Sequence, residues 1–468
     1  MDFTIQQALI PATDGYAVVD VQIQAGRITA IAPDLAAIGT VVDGRNKLLL
    51  PGFVNAHSHS PELWQRGMIA PLPLELWLAE LYDFPLLTPE QIYLSALGTA
   101  VETLLSGGTT IVDHLILIPG QEIAAIAAAV RAYREIGIRA FVAPLIQDDS
   151  FAAGLPTGGT SRAREAFSSS TAAVVDLIHR AVAQFHDPAH GIEIVPAPTG
   201  IHLCSDALLS ECAAIRDRHD LCLHSHLLET KAQKMVAYEK YGCSAVTHLQ
   251  QLGFLGRKTS LAHCVWLDDA DIEIMAATGT TVVHNPLSNL RLGSGIAPVL
   301  RYRAAGVNVT FGCDGSASND GQDVLEAIKI GSLLHNTTDF DYTQWITPRQ
   351  AIQMATLGGA TGLGMQDQLG SLTVGKLADL VLYDLTQFSL LPRTDPLGLL
   401  VLGRPTQVVD SVWVNGDRIV ADGKVATVDV PNLRQTLFEQ SQWLPERPQI
   451  TRLQYEPLYR QAMGLEGV

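Results

Sequence analysis

The stretch Leu48–Gln65, LLLPGFVNAHSHSPELWQ, decides how the rest of the chain is read. An apolar run stops at Pro51-Gly52, resumes as Phe53-Val54-Asn55, and then sets His57 and His59 two residues apart. In a strand, residues i and i+2 point to the same side. Both imidazoles can therefore aim at one point, as two ligands of a metal ion must. Two polar residues on a solvated strand face have the same spacing, so the motif takes its meaning from what surrounds it.

Outward from this stretch, strand-like runs alternate with longer helical segments, the signature of βα units and a parallel sheet. Eight such strands are predicted at 53–57, 110–113, 139–145, 192–197, 222–226, 260–264, 281–284 and 308–314, with amphipathic segments such as 91–105 and 268–277 between them. Eight parallel strands in this span predict an α/β fold, a closed (β/α)8 barrel over residues 52–366. The two ends differ in texture. Residues 1–51 and 367–430 read as short alternating strands with turn glycines such as Gly26 and Gly44, and predict one small β-sandwich built from both termini. A tail over 431–468 contains NLRQTLFEQSQWL and TRLQYEPLYRQAM, two amphipathic helices that pack on the barrel or across a subunit interface.

Composition narrows the function classes. The 468 residues are 47% hydrophobic with 24 prolines and 39 glycines, as in an ordinary globular protein. A net charge of −17 excludes the basic footprint that nucleic acid or an anionic membrane requires. The six cysteines show no CxxC spacing, so free buried thiols and a reducing, cytoplasmic compartment are expected. The N-terminus MDFTIQQALIPATDG does not read as a signal peptide, and no apolar run approaches a membrane span.

In a barrel of this type, residues distant in sequence converge at the C-terminal ends of the strands. His57 and His59 close the first predicted strand. The fifth ends CLHSHLLET, with His224, His226 and Glu229; the sixth brings His263, the seventh His284 and the eighth Asp314. Three histidines and an aspartate drawn from these ends make a mixed N/O site for one divalent metal, zinc first, with Fe2+ or Mn2+ as alternatives. A strand-end histidine taken singly is more often a hydrogen-bonded core residue. The set as a whole is harder to dismiss.

These pieces, PGFVNAHSHS, HLLET, AHCVWL, HNPLSNLRLGSGIAPV, GCDGSASND and GSLTVGKLADLVLYD, come in an order that resembles the amidohydrolase superfamily, in its deaminase and triazine-hydrolase branch. The resemblance implies metal ligands His57, His59, His226 and Asp314, with Glu229 as proton shuttle and His263 orienting the attacking water. It implies that His284 lies near the site, contacting water, substrate or Asp314. His226 is preferred to His224 because a glutamate three residues on can turn back over the metal, leaving His224 a packed interior histidine. The fourth strand ends Pro198-Thr199-Gly200, without the bridging carboxylate or lysine of binuclear members, so a single metal is expected.

The substrate is less legible. In nucleoside deaminases of this branch a glutamate after the Trp-Leu pair holds the ribose hydroxyls. Here Trp77-Leu78 is followed by Phe84 at the aligned position, and the expected histidine of a PHS run is Thr199. Both departures argue against S-adenosylhomocysteine or methylthioadenosine, although His202 could stand in for the missing histidine if it is not a surface-loop residue. Glu62 suits an amidine-like N–H donor pair, with a solvated loop glutamate as the alternative; Gln65, Trp64, Arg66 and Trp77 shape the pocket wall. No role follows from sequence for His114 or Asp148. The reading is a hydrolase that deaminates a small amino-substituted N-heterocycle: an oxopurine, pterin or triazine. Its rivals are guanidine, ureido or amide hydrolysis or dechlorination at the same site, and a non-catalytic metal-binding barrel. A homodimer is expected, as among relatives.

Overall fold

In the computed structural model, which describes residues 2–156, 169–442 and 450–465, each of the eight expected barrel strands is present. They are Phe53–His59, Gly108–Leu115, Arg139–Ile146, Ile192–Ile194 with Ala197–Pro198, Leu223–Leu227, Thr259–His263, Thr281–His284, and Val309–Phe311 with Asp314–Gly315. All neighbouring pairs are parallel, in one run from strand eight through strand one to four and a second from five to eight. The two runs meet where His224 N donates to Pro196 O and His226 N to Thr199 O, each at 3.2 Å.

Strands four and eight are broken, and each break has a cause. Pro196 has no N–H to give to a ladder. At Gly312-Cys313 the chain changes partner. Gly312 N still donates to His284 O of strand seven, Cys313 N donates to the Asn55 side chain, and Asp314 pairs with Ser58 of strand one. A Cβ on Gly312 would lie 2.4 Å from Asn285 Oδ1 and 2.8 Å from His57 Cβ, so only glycine allows the crossing.

The helices start where the sequence offers caps. Thr88 and Gln91 form a reciprocal capping box ahead of the helix Pro89–Leu105, and Asp268 and Asp271 do the same for Asp269–Thr278. Inside the barrel, Val54, Val112, Phe141, Val195, Cys222 and Val283 form one buried apolar cluster, closed off by Leu363 and Met365. This plug occupies the alternate positions of the strands that also carry His114, His224 and His226 two or four residues further on.

The terminal segments form one nine-stranded sheet. Lys47–Pro51 pairs antiparallel with Leu380–Asp384, Leu49 facing Leu382, and runs straight on through Gly52 into strand one. An antiparallel bridge from Arg27 to Leu377 brings the far edge of the sheet back to its middle. Phe3, Val21, Ile23, Leu380, Leu382 and Trp413 share a core of their own as a result. Sheet and barrel are joined by a bidentate pair, Arg139 Nε and Nη2 donating to Asp379 at 3.2 and 3.1 Å, with both side chains almost fully buried. The described tail helices, Val430–Ser441 and Ile450–Ala462, pack on Pro89–Leu105 and on Leu74–Leu81 respectively. Trp443 and Leu444 of the first expected tail helix lie outside the described residues. Among the described residues no helix is long and apolar enough to cross a membrane.

Breaking a buried ion pair from one side strands a charge, at a cost of about 3–5 kcal/mol. Arg139→Met should therefore lower Tm by several degrees in a thermal melt. Arg139→Met with Asp379→Asn should lose less than the sum of the single variants.

Candidate metal centre and active site

His59 Nδ1 donates to the carbonyl of His114 and His226 Nδ1 to that of Thr199, each at 2.6 Å. A carbonyl can only accept, so in both neutral rings Nε2 is left as a bare lone pair. These two nitrogens face each other at 3.2 Å. His57 Nε2 is buried without a hydrogen-bond partner, 3.3 Å from Asp314 Oδ1, which also lies 3.4 Å from His59 Nε2. His57 Nδ1 and His224 Nε2 are 2.8 Å apart, and His224 Nδ1 sits 2.7 Å from Ser260 Oγ, a relay that holds the His57 ring. Burial disfavours the charged form of His57, His224 and His226: it pushes His57 down to about 4 and holds His224 and His226 well below the usual value. Electron pairs packed this closely repel unless a cation lies among them. The donor set of imidazole nitrogens and one carboxylate fits a divalent ion.

His114 lies beside this cluster. Its Nε2 donates to Ala197 O, and its ring stacks on those of His59 and His226. Groupings close enough to share an ion are His57, His59, His114 and His226, and His57, His263 and Asp314. They overlap at His57 on strand one, the first drawing also on strands two and five and the second on strands six and eight.

Glu229, His263 and Asp314 stand together over this point. His263 Nε2 is 3.5 Å from Glu229 Oε2 and 3.8 Å from Asp314 Oδ2. Ser294 Oγ donates to Glu229 Oε1 at 2.9 Å, and Asn289 Oδ1 lies 2.9 Å from His263 Nδ1. Burial, with the Asp314 charge adding to it, pushes the Glu229 carboxyl up to about 7. For Asp314 burial acts the same way, but the His57 contact and the surrounding imidazoles outweigh it and hold this carboxyl far below the usual range. Strict alternation would not bring His263 here, since Ser260, two residues before Ala262, already faces inward to His224. The left-handed backbone at His263 (φ +72°), repeated at Asp314 (+64°), turns both side chains over the site.

A cavity opens from this cluster. Glu62, Gln65 and Trp77 line it beside His59, His226, Glu229, His263 and Asp314. Glu62 is not a solvated loop residue: it is 2% exposed, accepts from Ala317 N at 3.1 Å, and is raised by burial to about 7. His202 is likewise buried and lines the cavity. His284 is not among the lining residues. It follows Val283, which faces the barrel interior, so it points the other way and lies 3.3 Å from His335 Nε2. The expectation that it contacts water, substrate or Asp314 is corrected by this alternation. Asp148 joins loops, accepting from Ser205 N and Oγ and from Thr171 Oγ1. Asn289 and Ser294, unassigned from sequence, lie in the polar run after strand seven; only the hydrogen-bonding capacity of that run hinted at them.

A profile of the amidohydrolase family matches residues 48–419, and the chain belongs to that family. Similar relatives include a 5-methylthioadenosine/S-adenosylhomocysteine deaminase of Desulforudis audaxviator, 35% identical over 88% of this chain and 91% of its own. A 5'-deoxyadenosine deaminase of Methanosarcina barkeri is 34% identical over 87% and 89%. Among solved structures, an atrazine chlorohydrolase of Arthrobacter aurescens complexed with zinc superposes with a TM-score of 0.86, at 26% identity over 94% of this chain and 99% of that one.

Removing the His224 brace should free the His57 ring. By the usual effect of such outer partners, His224→Phe is expected to weaken divalent-metal binding by about 10–100-fold, read by competition with a chelator.

Proposed function

We propose that the protein is a zinc-dependent aminohydrolase that removes ammonia from a small amino-substituted N-heterocycle. The observation that carries this is the placement of Glu229, Oε2 lying 3.5 Å from His263 Nε2, beside the facing imidazole nitrogens of His59 and His226 and the Asp314 carboxylate; burial that raises Glu229 to about 7 suits it to give a proton near neutral pH. His57, His59, His226 and Asp314 would hold the ion. When bound, a divalent ion supplies the acidity that makes a water nucleophilic near neutral pH. Asp314 takes the water's proton, and His263, held by Asn289, orients the water. The water oxygen bonds to the ring carbon that carries the amine, and Glu229 gives its proton to the adjacent ring nitrogen. Asp314 then passes the water's proton to the exocyclic nitrogen, the C–N bond breaks, ammonia leaves, and the hydroxyl left on the carbon becomes the carbonyl as its proton returns to Glu229. Glu62 is suited to receive N–H donors of the ring.

The cavity wall bears on the substrate. Beyond the polar floor it is formed by Leu74, Trp77, Leu81, Phe84, Leu117 and Ile118. The alternative, a nucleoside as in the names of the relatives, is favoured by their 34–35% identity. Against it, Phe84 stands where the ribose-binding glutamate is expected, which leaves His202, Thr199 and Gln233 as the polar side chains on that part of the lining. A cytoplasmic setting is supported by six free cysteines, five of them buried. Assembly as a homodimer belongs to the same proposal.

Ammonia release across a panel tests the reading. A ring amine with alkyl substituents is expected to exceed 5'-deoxyadenosine in kcat/KM by about tenfold or more; the reverse order would replace the small heterocycle by a nucleoside. Glu229→Gln should keep its metal and lose nearly all turnover, and retained activity would remove Glu229 from the mechanism. Since the protonated form of Glu229 is the donor, kcat/KM should fall as pH rises through about 7.

A further inference from the structure

The helix Leu74–Leu81 has three different neighbours. Its Leu74, Trp77, Leu78 and Leu81 side chains wall the cavity. Glu75 accepts a hydrogen bond from Thr230 Oγ1 at 2.5 Å, and Thr230 directly follows Glu229. Gln233, one turn further on, accepts from Glu229 N at 2.8 Å. On its remaining side the helix meets the C-terminal helix Ile450–Ala462. There Arg452 Nη1 donates to Glu80 Oε1 at 2.7 Å, with Glu80 1% exposed. Thr451 N donates to Asp83 at 3.0 Å, and Tyr455 is buried in a cluster with Ala79 and Leu155. Phe151 sits edge-on to both Tyr82 and Tyr455.

We propose that the C-terminal helix is a brace for the substrate pocket, and that Arg452 is a positioning residue whose ion pair with Glu80 sets the wall formed by Leu74–Leu81. The helix is only two turns long, too short to hold its place by its own hydrogen bonds. Its position is set by what it packs against. On the barrel side that is a ligand-sized cavity, which gives little support. The tail supplies the rest. Replacing the guanidinium removes the 2.7 Å contact that ties the tail to Glu80, and with it a tether on the helix end that carries Trp77, Leu78 and Leu81. Arg452 touches neither substrate nor reacting atoms, so its effect reaches the reaction through the wall alone. The kinetic side of this proposal rests on the aminohydrolase reading; the structural side does not.

The test uses full-length Arg452→Met and Arg452→Lys, and Glu80→Gln as a variant that keeps the shape of the contact. Arg452→Met should raise KM for the best panel substrate by about tenfold with kcat little changed, as expected of a misplaced binding surface. Arg452→Lys should lie between it and the parent. Hydrogen–deuterium exchange should quicken in peptides covering 74–85 in Arg452→Met, and in Glu80→Gln to a smaller degree, while barrel-strand peptides and metal content stay as in the parent. Unchanged KM together with unchanged exchange at 74–85 would overturn the proposal. So would a fall in kcat at constant KM, or faster exchange spread over the whole chain. If the parent releases no ammonia from any panel member, the aminohydrolase reading fails, and the exchange data alone decide whether the brace exists.

Discussion

The molecule is built around an arrangement that is unfavourable on its own. Three imidazole nitrogens and a carboxylate oxygen are linked by contacts of 3.2–3.4 Å at the floor of the cavity. Lone pairs do not assemble in this way unless a positive charge is to sit among them. The surrounding structure is committed to holding the set together. Carbonyls at His114 and Thr199 fix two tautomers, and the His224–Ser260 pair fixes the third ring. These partners belong to strands two, four, five and six, so the rigidity of the barrel is passed directly to the donor atoms.

The same burial that disfavours charge on these histidines separates the two carboxyls. Asp314, among imidazoles, is held ionised, while Glu229, backed by Ser294 and turned toward another carboxylate, is raised to about 7. Two like groups that share His263 as a neighbour are thus pushed in opposite directions by their surroundings. The apolar wall facing them keeps the dielectric low and preserves this difference.

Much of this was visible in the sequence because it depends on short-range periodicity. The eight strands, the His57/His59 pair, and the step from His226 to Glu229 are spacing patterns, and spacing survives folding. Orientation at the strand ends is another matter. His263 reaches the site only through a left-handed residue, and no composition signal distinguishes that from a continued strand. His284 looked equivalent to the other strand-end histidines, yet one step of alternation sends it to His335. The breaks at Pro196 and Gly312 could be suspected from residue type, but the change of partner at Gly312 depends on strand one being there to receive Asp314. Phe84, at the position aligned with a glutamate of nucleoside deaminases, lines the cavity, while burial of Glu62 and His202 depended on loops whose course no local rule predicts.

The sheet made from both ends of the chain has a consequence for synthesis. Leu48 to Pro51 have Leu9 on one side but find their other partners at 380 to 383, so one edge of the segment that leads into the first barrel strand cannot be covered until most of the polypeptide has been made. His57 waits likewise for Asp314, which arrives 257 residues later (314 − 57) on the strand that completes the barrel. Such separations make contact formation slow, since the loops to be closed are long. On the ribosome, the first strands can pair with one another, while the edge of Lys47–Pro51 that faces 380–384 stays open as the helices form behind it. A chain cut short before residue 314 lacks both the carboxylate beside His57 and the strand that seals Lys47–Pro51.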